Sequence, residues 1–380
     1  MYIERTISDI VRRNAASFKV VTLTGPRQSG KTTLARHLFP GYRYVSLEDL
    51  DVRAFASGDP RSFLSQYDNH CVFDEVQRVP ELLSYLQTKV DERPETAQYI
   101  LTGSQNFTLA ETISQTLVGR TSLQTLLALS ADEIRSVAPS TSLLDIIHRG
   151  QYPALYAKEL LPGDFYEPYT ALYLERDVRD LRQVADLALF RDFMALVAGR
   201  VGQLMNYSDI ANVIGRDVNT VKQWLSVLET SFIIFRIRPF LAQTPRRLSK
   251  SPKFYFFDTG LLCHLLGIRN TSDLQQHYQW GGIFENYVIA ERYKMSVNYG
   301  KQPRLHFLRD KTGNEIDLVE QTDSGLTFSE IKAAQTFSSD MIKGLNAFAD
   351  ITDGAGNAPQ TQVIYRGEPL GYQGVQFINP

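Results

Sequence analysis

The chain has 380 residues, 43% of them apolar and 22% charged, with a formal net charge of −2. That length and apolar fraction suit a globular protein of two or three domains, and the charge excludes wholesale coating of a polyanion while leaving room for a local basic patch. No apolar run is long enough to cross a bilayer, and the two cysteines, Cys71 and Cys263, offer neither a disulfide framework nor a zinc spacing.

In chain order, MYIERTISDIVRR reads as an amphipathic helix without a signal-peptide apolar core, so a cytoplasmic, membrane-free setting is expected. Residues 1–130 then alternate the strand-like runs KVVTLTG, YRYVSLED, HCVFDEV and AQYILTGS with helix-like segments. Such alternation predicts an α/β domain with a parallel sheet covered by helices. A mostly helical region follows over 131–270. A second α/β region over 271–380 carries a helix (GGIFENYVIAERYKM), strands (RLHFLRD, EIDLVE, LTFSEIK), a further helix and a strand. No internal repeat or low-complexity segment appears.

Between the first strand and a helix stands GPRQSGKTT, residues Gly25, Pro26, Arg27, Gln28, Ser29, Gly30, Lys31, Thr32 and Thr33. This is G-x-x-x-x-G-K-[ST] in the strand–loop–helix setting it requires. Glycines let backbone N–H groups curl around phosphate oxygens, and the helix N-terminus favours negative charge. Lys31 is expected at the β- and γ-phosphates of ATP and Thr32 on Mg²⁺. CVFDEV supplies the acidic strand end. Asp74 is placed to hold Mg²⁺ and Glu75 to polarise the attacking water. A strand ending in Thr102, Gly103, Ser104 and Gln105 offers Ser104 to the γ-phosphate or the lytic water, with a plain turn as the alternative. Arg120, in LVGR, is a candidate for stabilising phosphate charge, in cis or toward a neighbouring subunit of a homo-oligomer; a solvated arginine competes with that reading. Arg5 is a weaker candidate of the same kind.

MNYSDIANVIGRDVNTVKQWLSVLE, 205–229, has helix-turn-helix spacing. Ala211 is small where two helices cross, Gly215 falls at the turn, and Val221 and Leu225 anchor a second helix exposing Asn219, Lys222 and Gln223 to a groove. From Thr230 to Phe257 the chain holds six basic residues and no acid: Arg236, Arg238, Arg246, Arg247, Lys250 and Lys253. These point to contact with a DNA backbone, against the plainer reading of a solvated β-wing. Arg176 and Asp177 read as a local ion pair on a helix, and His148, His264 and His306 as structural or solvated.

Near the end, EIDLVEQTDSGLTFSEIK sets Glu330 and Lys332 on one strand face, with Asp317 on a partner strand. A carboxylate pair beside a lysine can hold a divalent metal or be an ordinary salt bridge.

GPRQSGKTTLARHLF, FDEVQR, LTGSQNF and LVGR together resemble the AAA-type ATPase domain of a large group of uncharacterised prokaryotic proteins. In these it is fused to a C-terminal domain of unknown function, which HRGQYPALY, YLERDVRDL, TVKQWLSVLETSFIIF, GGIFENYVIAERYK, RDKTGNEIDLV and EIK resemble. The resemblance implies a P-loop domain, a winged helix and a core like that of restriction endonucleases. It also implies a nuclease-type set: Glu285 on a helix, Asp317, and the pair Glu330 and Lys332, with Mg²⁺ at Asp317 and Glu330 and the lysine on the water. Ile316 stands where that pattern has proline. Three functions are open on the sequence. One is an ATP-hydrolysing protein that binds DNA under control of its ATP state, one an ATP-regulated nuclease, and one a nucleotide switch for a protein partner.

Overall fold

The computed structural model describes residues 1–104, 116–173, 186–240, 249–323, 325–351 and 357–380. Gln105, Arg176, Asp177, Arg246 and Arg247 lie outside them.

The N-terminal sheet has β1 (Val20–Thr24), β2 (Arg43–Ser46), β3 (Cys71–Asp74), β4 (Tyr99–Thr102) and β5 (Thr121–Thr125) in the order β2-β3-β4-β1-β5. Every pairing is parallel, as expected. The three central strands are buried along their whole length, the signature of strands covered by helices on both faces. Parallel strands put all their C-terminal ends on one edge, which gathers the P-loop after β1, Asp74 at the end of β3 and Thr102 at the end of β4.

The expected N-terminal helix is shorter than its amphipathic pattern, beginning only at Ser8 and ending at Ala15. Residues 1–7 instead run across the P-loop end of the sheet, held there by Arg5.

The helix-turn-helix spacing is realised. Helix Tyr207–Ile214 is capped by Asn206 and closed by Gly215 at φ 65°. Helix Val218–Thr230 is capped by Asp217, whose carboxylate accepts from the N–H groups of Asn219 (2.8 Å) and Thr220 (3.0 Å). Ala211, Val221 and Leu225 are buried, as the pattern demands.

After these helices come β6 (Ile234–Pro239) and β7 (Lys253–Phe256), an antiparallel ribbon. The ribbon continues into the C-terminal sheet. With β8 (Leu305–Arg309), β9 (Glu315–Thr322), β10 (Gly325–Lys332), β11 (Gln360–Tyr365), β12 (Leu370–Tyr372) and β13 (Val375–Ile378), it forms one mixed sheet ordered β12-β13-β11-β10-β9-β8-β6-β7. The sheet therefore crosses the division at residue 270 that composition suggests. Helix Trp280–Asn298 packs on it, and buried Asn286 closes the outer edge of β7 by accepting from the Phe256 N–H (2.6 Å) and donating to its carbonyl (2.9 Å). A main core cluster spans the middle region, the ribbon and this helix. Both cysteines are buried and free.

Candidate functional site

The phosphate loop has the backbone its glycines predict. Gly25 sits at φ 142°, and a Cβ there would lie 2.1 Å from the Leu126 carbonyl oxygen, so no larger residue fits. Gly30, at φ 93°, opens the helix Lys31–Leu38, the two together aiming backbone N–H groups into the cleft. Lys31 is buried and donates to the carbonyls of Gly25 (3.1 Å) and Pro26 (2.7 Å).

The acidic strand end meets this loop. Thr32 donates its hydroxyl to Asp74 at 2.8 Å, Tyr44 donates to the same oxygen at 2.7 Å, and Thr102 donates to the other. Burial and then the Asp74 carboxylate push the Tyr44 phenol well above its ordinary value, so it remains a donor. Glu75 takes a left-handed backbone (φ 58°), rare for a residue with a Cβ, which swings its side chain into the cleft beside the P-loop. Gln77 holds it there, donating to Glu75 and to the Ser104 hydroxyl (2.9 Å). Ser104 thus reaches Glu75 through an amide that the motif reading overlooked. FDEVQR contains Gln77, yet nothing in its spacing singles it out.

Arg5 is also corrected. It lies before the first helix, 4% exposed, and is a clamp on the backbone. Its guanidinium donates to the Ser29 carbonyl in the P-loop (2.9 Å), to the Leu127 carbonyl (2.8 Å) and to Glu133 (3.1 Å). Glu133 in turn accepts from the N–H groups of Thr6 (2.7 Å) and Ser130 (2.9 Å). Most of its donors are committed to the protein, and the residue also lines the cleft over the P-loop.

Arg120 stands at the other end of the sheet. It precedes Thr121, the partner of Val20 at the start of β1, so the whole of β1, about 16 Å of strand, separates it from the P-loop. It pairs with Asp91 (2.6 Å) and, with Lys19, draws that carboxyl down to about 2. A role for Arg120 in its own nucleotide site is therefore excluded by position.

The cleft over the P-loop encloses about 770 Å³. Residues 27–33 and Glu75 form its floor. Met1, Tyr2 and Ile3 form one wall, and Pro153, Ala154, Ala157, Tyr169 and Tyr173 of the middle region form the other. Next to Pro153, Gln151 is fully buried and donates to Glu291 (2.7 Å), while Lys294 donates to the Leu129 carbonyl (3.2 Å). Glu291 and Lys294 lie on the helix that carries Glu285.

The C-terminal acids do come together, but already paired. Lys332 donates to Asp317 (3.1 Å) and Glu330, and Asp317 also accepts from the Ile331 N–H (2.8 Å). Glu285 accepts from Lys253 (3.1 Å) and from the Tyr255 hydroxyl (2.6 Å). Lys253 also pairs with Glu315, which pairs with Arg309. Burial alone would depress Lys253, but Glu285, Glu315 and Asp317 outweigh it and hold the ammonium form. Among the described residues no three His, Cys, Asp or Glu side chains stand in a metal-holding arrangement. With Lys253 on Glu285 and Glu315 and Lys332 on Asp317 and Glu330, the Mg²⁺ that the resemblance implies there would compete with an ammonium group at each of these acids.

Of the DNA-contact candidates, Asn219, Lys222, Gln223, Arg238 and Lys250 are exposed. Arg236 is exposed too but forked onto Glu229 (3.1 and 3.0 Å). Lys253 is corrected: all four residues of β7 are buried, and its side chain is 2% exposed. His264 packs beside Glu167 (3.5 Å) and His306 against Phe240, in keeping with structural roles.

Residues 17–135 match the model of an AAA domain, 140–272 that of a domain of unknown function (DUF8612), and 280–378 that of another (DUF4143). The N-terminal third is thus similar to AAA domains. An uncharacterized protein of Mycobacterium tuberculosis is 29% identical over 331 residues, covering 86% of this chain and 73% of that one. One from Haemophilus influenzae is 25% identical over 132 residues, covering 33% of this chain and 31% of its own. Among solved structures, a Walker-type ATPase of Pyrococcus abyssi covers 70% of this chain and 96% of its own at 14% identity and a TM-score of 0.45. At that score the likeness has no bearing on function. Among the described residues no helix is long and apolar enough to cross a membrane.

Proposed function

We propose that this chain hydrolyses ATP in the cleft over its P-loop and that the bound nucleotide sets the position of its C-terminal half. The carrying observation is the composition of the cleft, whose floor is the P-loop and one of whose walls is the middle region. A ligand filling it touches both, and so has the differential contacts that a nucleotide-driven change requires. From Pro153 the route to the C-terminal half is short, through Gln151 to Glu291.

In this reading the backbone N–H groups of 27–33 take the β-phosphate and Lys31 leaves the loop carbonyls for the γ-phosphate. Glu75, oriented by Gln77 and Ser104, polarises the attacking water. Thr32 and Asp74 are positioned to hold Mg²⁺, which would neutralise charge between the β- and γ-phosphates. Met1–Ile3 and the Pro153 wall are left for the base. Arg120 could meet a nucleotide only at a neighbouring subunit's site and after release from Asp91, which requires a homo-oligomer, and gel filtration with and without nucleotide tests for one. Steady-state ATP turnover with Lys31→Ala and Glu75→Gln tests the main reading, and unchanged turnover in Lys31→Ala would sink it.

DNA is the second reading. The exposed Asn219, Lys222 and Gln223 on a capped second helix favour it. Fluorescence anisotropy with duplex DNA across a salt series checks it. Binding that weakens with salt and with Lys222→Ala supports DNA, whereas no binding at low salt leaves a protein partner as the occupant. The nuclease reading ranks behind both: Asp317, Glu330 and Lys332 converge as it requires, but Lys253, which is outside that set, already pairs Glu285 and Glu315.

A further inference from the structure

We propose that Lys253 is an internal plug: the β6–β7 ribbon delivers its ammonium group into the C-terminal acidic centre, where it takes the place of a divalent metal. The centre lies on three elements that converge by sheet alternation. Glu315 and Asp317 share a face of β9, Glu330 and Lys332 share a face of β10, and Glu285 approaches from helix Trp280–Asn298. Such a set of carboxylates on adjacent strands normally needs a cation, because like charges that close repel and desolvation penalises each one.

Here the cation is supplied by the chain itself. Lys253 comes from β7, two strands beyond β8 in the sheet order, and its ammonium lies 5.4 Å from the centre of the Phe307 ring of β8 on the way to Glu315. It reaches Glu285 at 3.1 Å and pairs with Glu315, and the neighbouring Tyr255 hydroxyl fills another lone pair of Glu285. On the far side Lys332 bridges Asp317 and Glu330. Two lysines and Arg309 thus face four carboxylates, and a metal entering between Glu285 and Asp317 would have to displace a buried ammonium.

The same contacts give the plug a mechanical role. The ribbon belongs by sequence to the helix-turn-helix region, and Lys253 grips the acids of β9 and, with Tyr255, that of helix Trp280–Asn298. Removing it both frees carboxylates and loosens the ribbon.

Equilibrium dialysis of the full-length, nucleotide-free protein against Mn²⁺ tests the proposal. Wild type and Asp317→Asn should bind Mn²⁺ alike. Lys253→Met should gain a bound Mn²⁺ that is lost again in Lys253→Met with Asp317→Asn, and its melting temperature should rise with Mn²⁺ while that of wild type does not. Should Lys253→Met fail to fold, the comparison of wild type with Asp317→Asn and Glu285→Gln still decides. Mn²⁺ bound by wild type and lost in either variant overturns the plug, as does a folded Lys253→Met that gains no Mn²⁺.

Discussion

The molecule holds two carboxylate centres at strand ends or strand faces, and they are neutralised in opposite ways. Asp74 is fixed by the hydroxyls of Thr32, Tyr44 and Thr102, and Glu75 by the amide of Gln77. Asp317, Glu330, Glu285 and Glu315 are fixed by ammonium and guanidinium groups. A neutral donor orients a carboxylate and leaves its charge available to a metal or a water. A buried cation orients it and cancels the charge. Motif reading finds suitable acids in both, and at the C-terminal pair it leaves a metal site and a salt bridge open. The partners separate them.

The largest effect that sharpens this contrast is on turnover. Glu75→Gln should lower ATP hydrolysis by about 10²–10⁴-fold, the usual worth of a positioned general base, while Glu330→Gln leaves it unchanged. Equal losses in both, measured by phosphate release, would mean that the centres are not independent. Next is stability. Lys253→Met strands buried carboxylates and should cost about 3–5 kcal/mol, the usual cost of breaking a buried pair, read as a drop in denaturant midpoint. Arg5→Ala should cost a comparable amount, because it strands buried Glu133, but unlike Lys253→Met it should also weaken nucleotide binding, because it frees the Ser29 carbonyl within the P-loop. Isothermal titration with a non-hydrolysable ATP analogue reads that difference. Smallest is Tyr44→Phe, which removes one hydrogen bond to Asp74. It should shift the Mg²⁺ dependence of turnover by about 0.5–1.5 kcal/mol, roughly two- to tenfold in apparent affinity.

A pH series probes the C-terminal centre. Burial, and then the charge of Asp317, push Glu330 from its ordinary 4.5 up to about 8. A group whose folded-state value is raised favours the fold while protonated. Its contribution is full below about 4.5 and is lost as pH climbs through about 8. Wild type should therefore lose stability across that window relative to Glu330→Gln. Parallel curves of unfolding free energy against pH would contradict the burial of Glu330 beside Asp317.

What the sequence disclosed follows from distance along the chain. The P-loop is legible because nine consecutive residues specify it, and the turn at Gly215 because cap, glycine and apolar spacing all lie within 205–229. The parallel sheet follows from alternating runs. Arg5, by contrast, gets its meaning from residues 29, 127 and 133, and Lys253 from 285 and 315. Local composition reports that a lysine is basic but not which side of the strand it faces. Lys253 therefore reads as a surface charge in a basic stretch, although the fold buries it. Arg120 fails for the same reason: LVGR is legible as a motif, but only the register of β5 against β1 shows which end of the sheet it occupies.

The most direct test of the contrast counts bound Mn²⁺ by electron paramagnetic resonance in the presence of a non-hydrolysable ATP analogue. A single nucleotide-dependent Mn²⁺ is expected, lost in Asp74→Asn and indifferent to Asp317→Asn. A second Mn²⁺ in wild type that Asp317→Asn removes would contradict the account, because the C-terminal acids would then be as available as those at the P-loop.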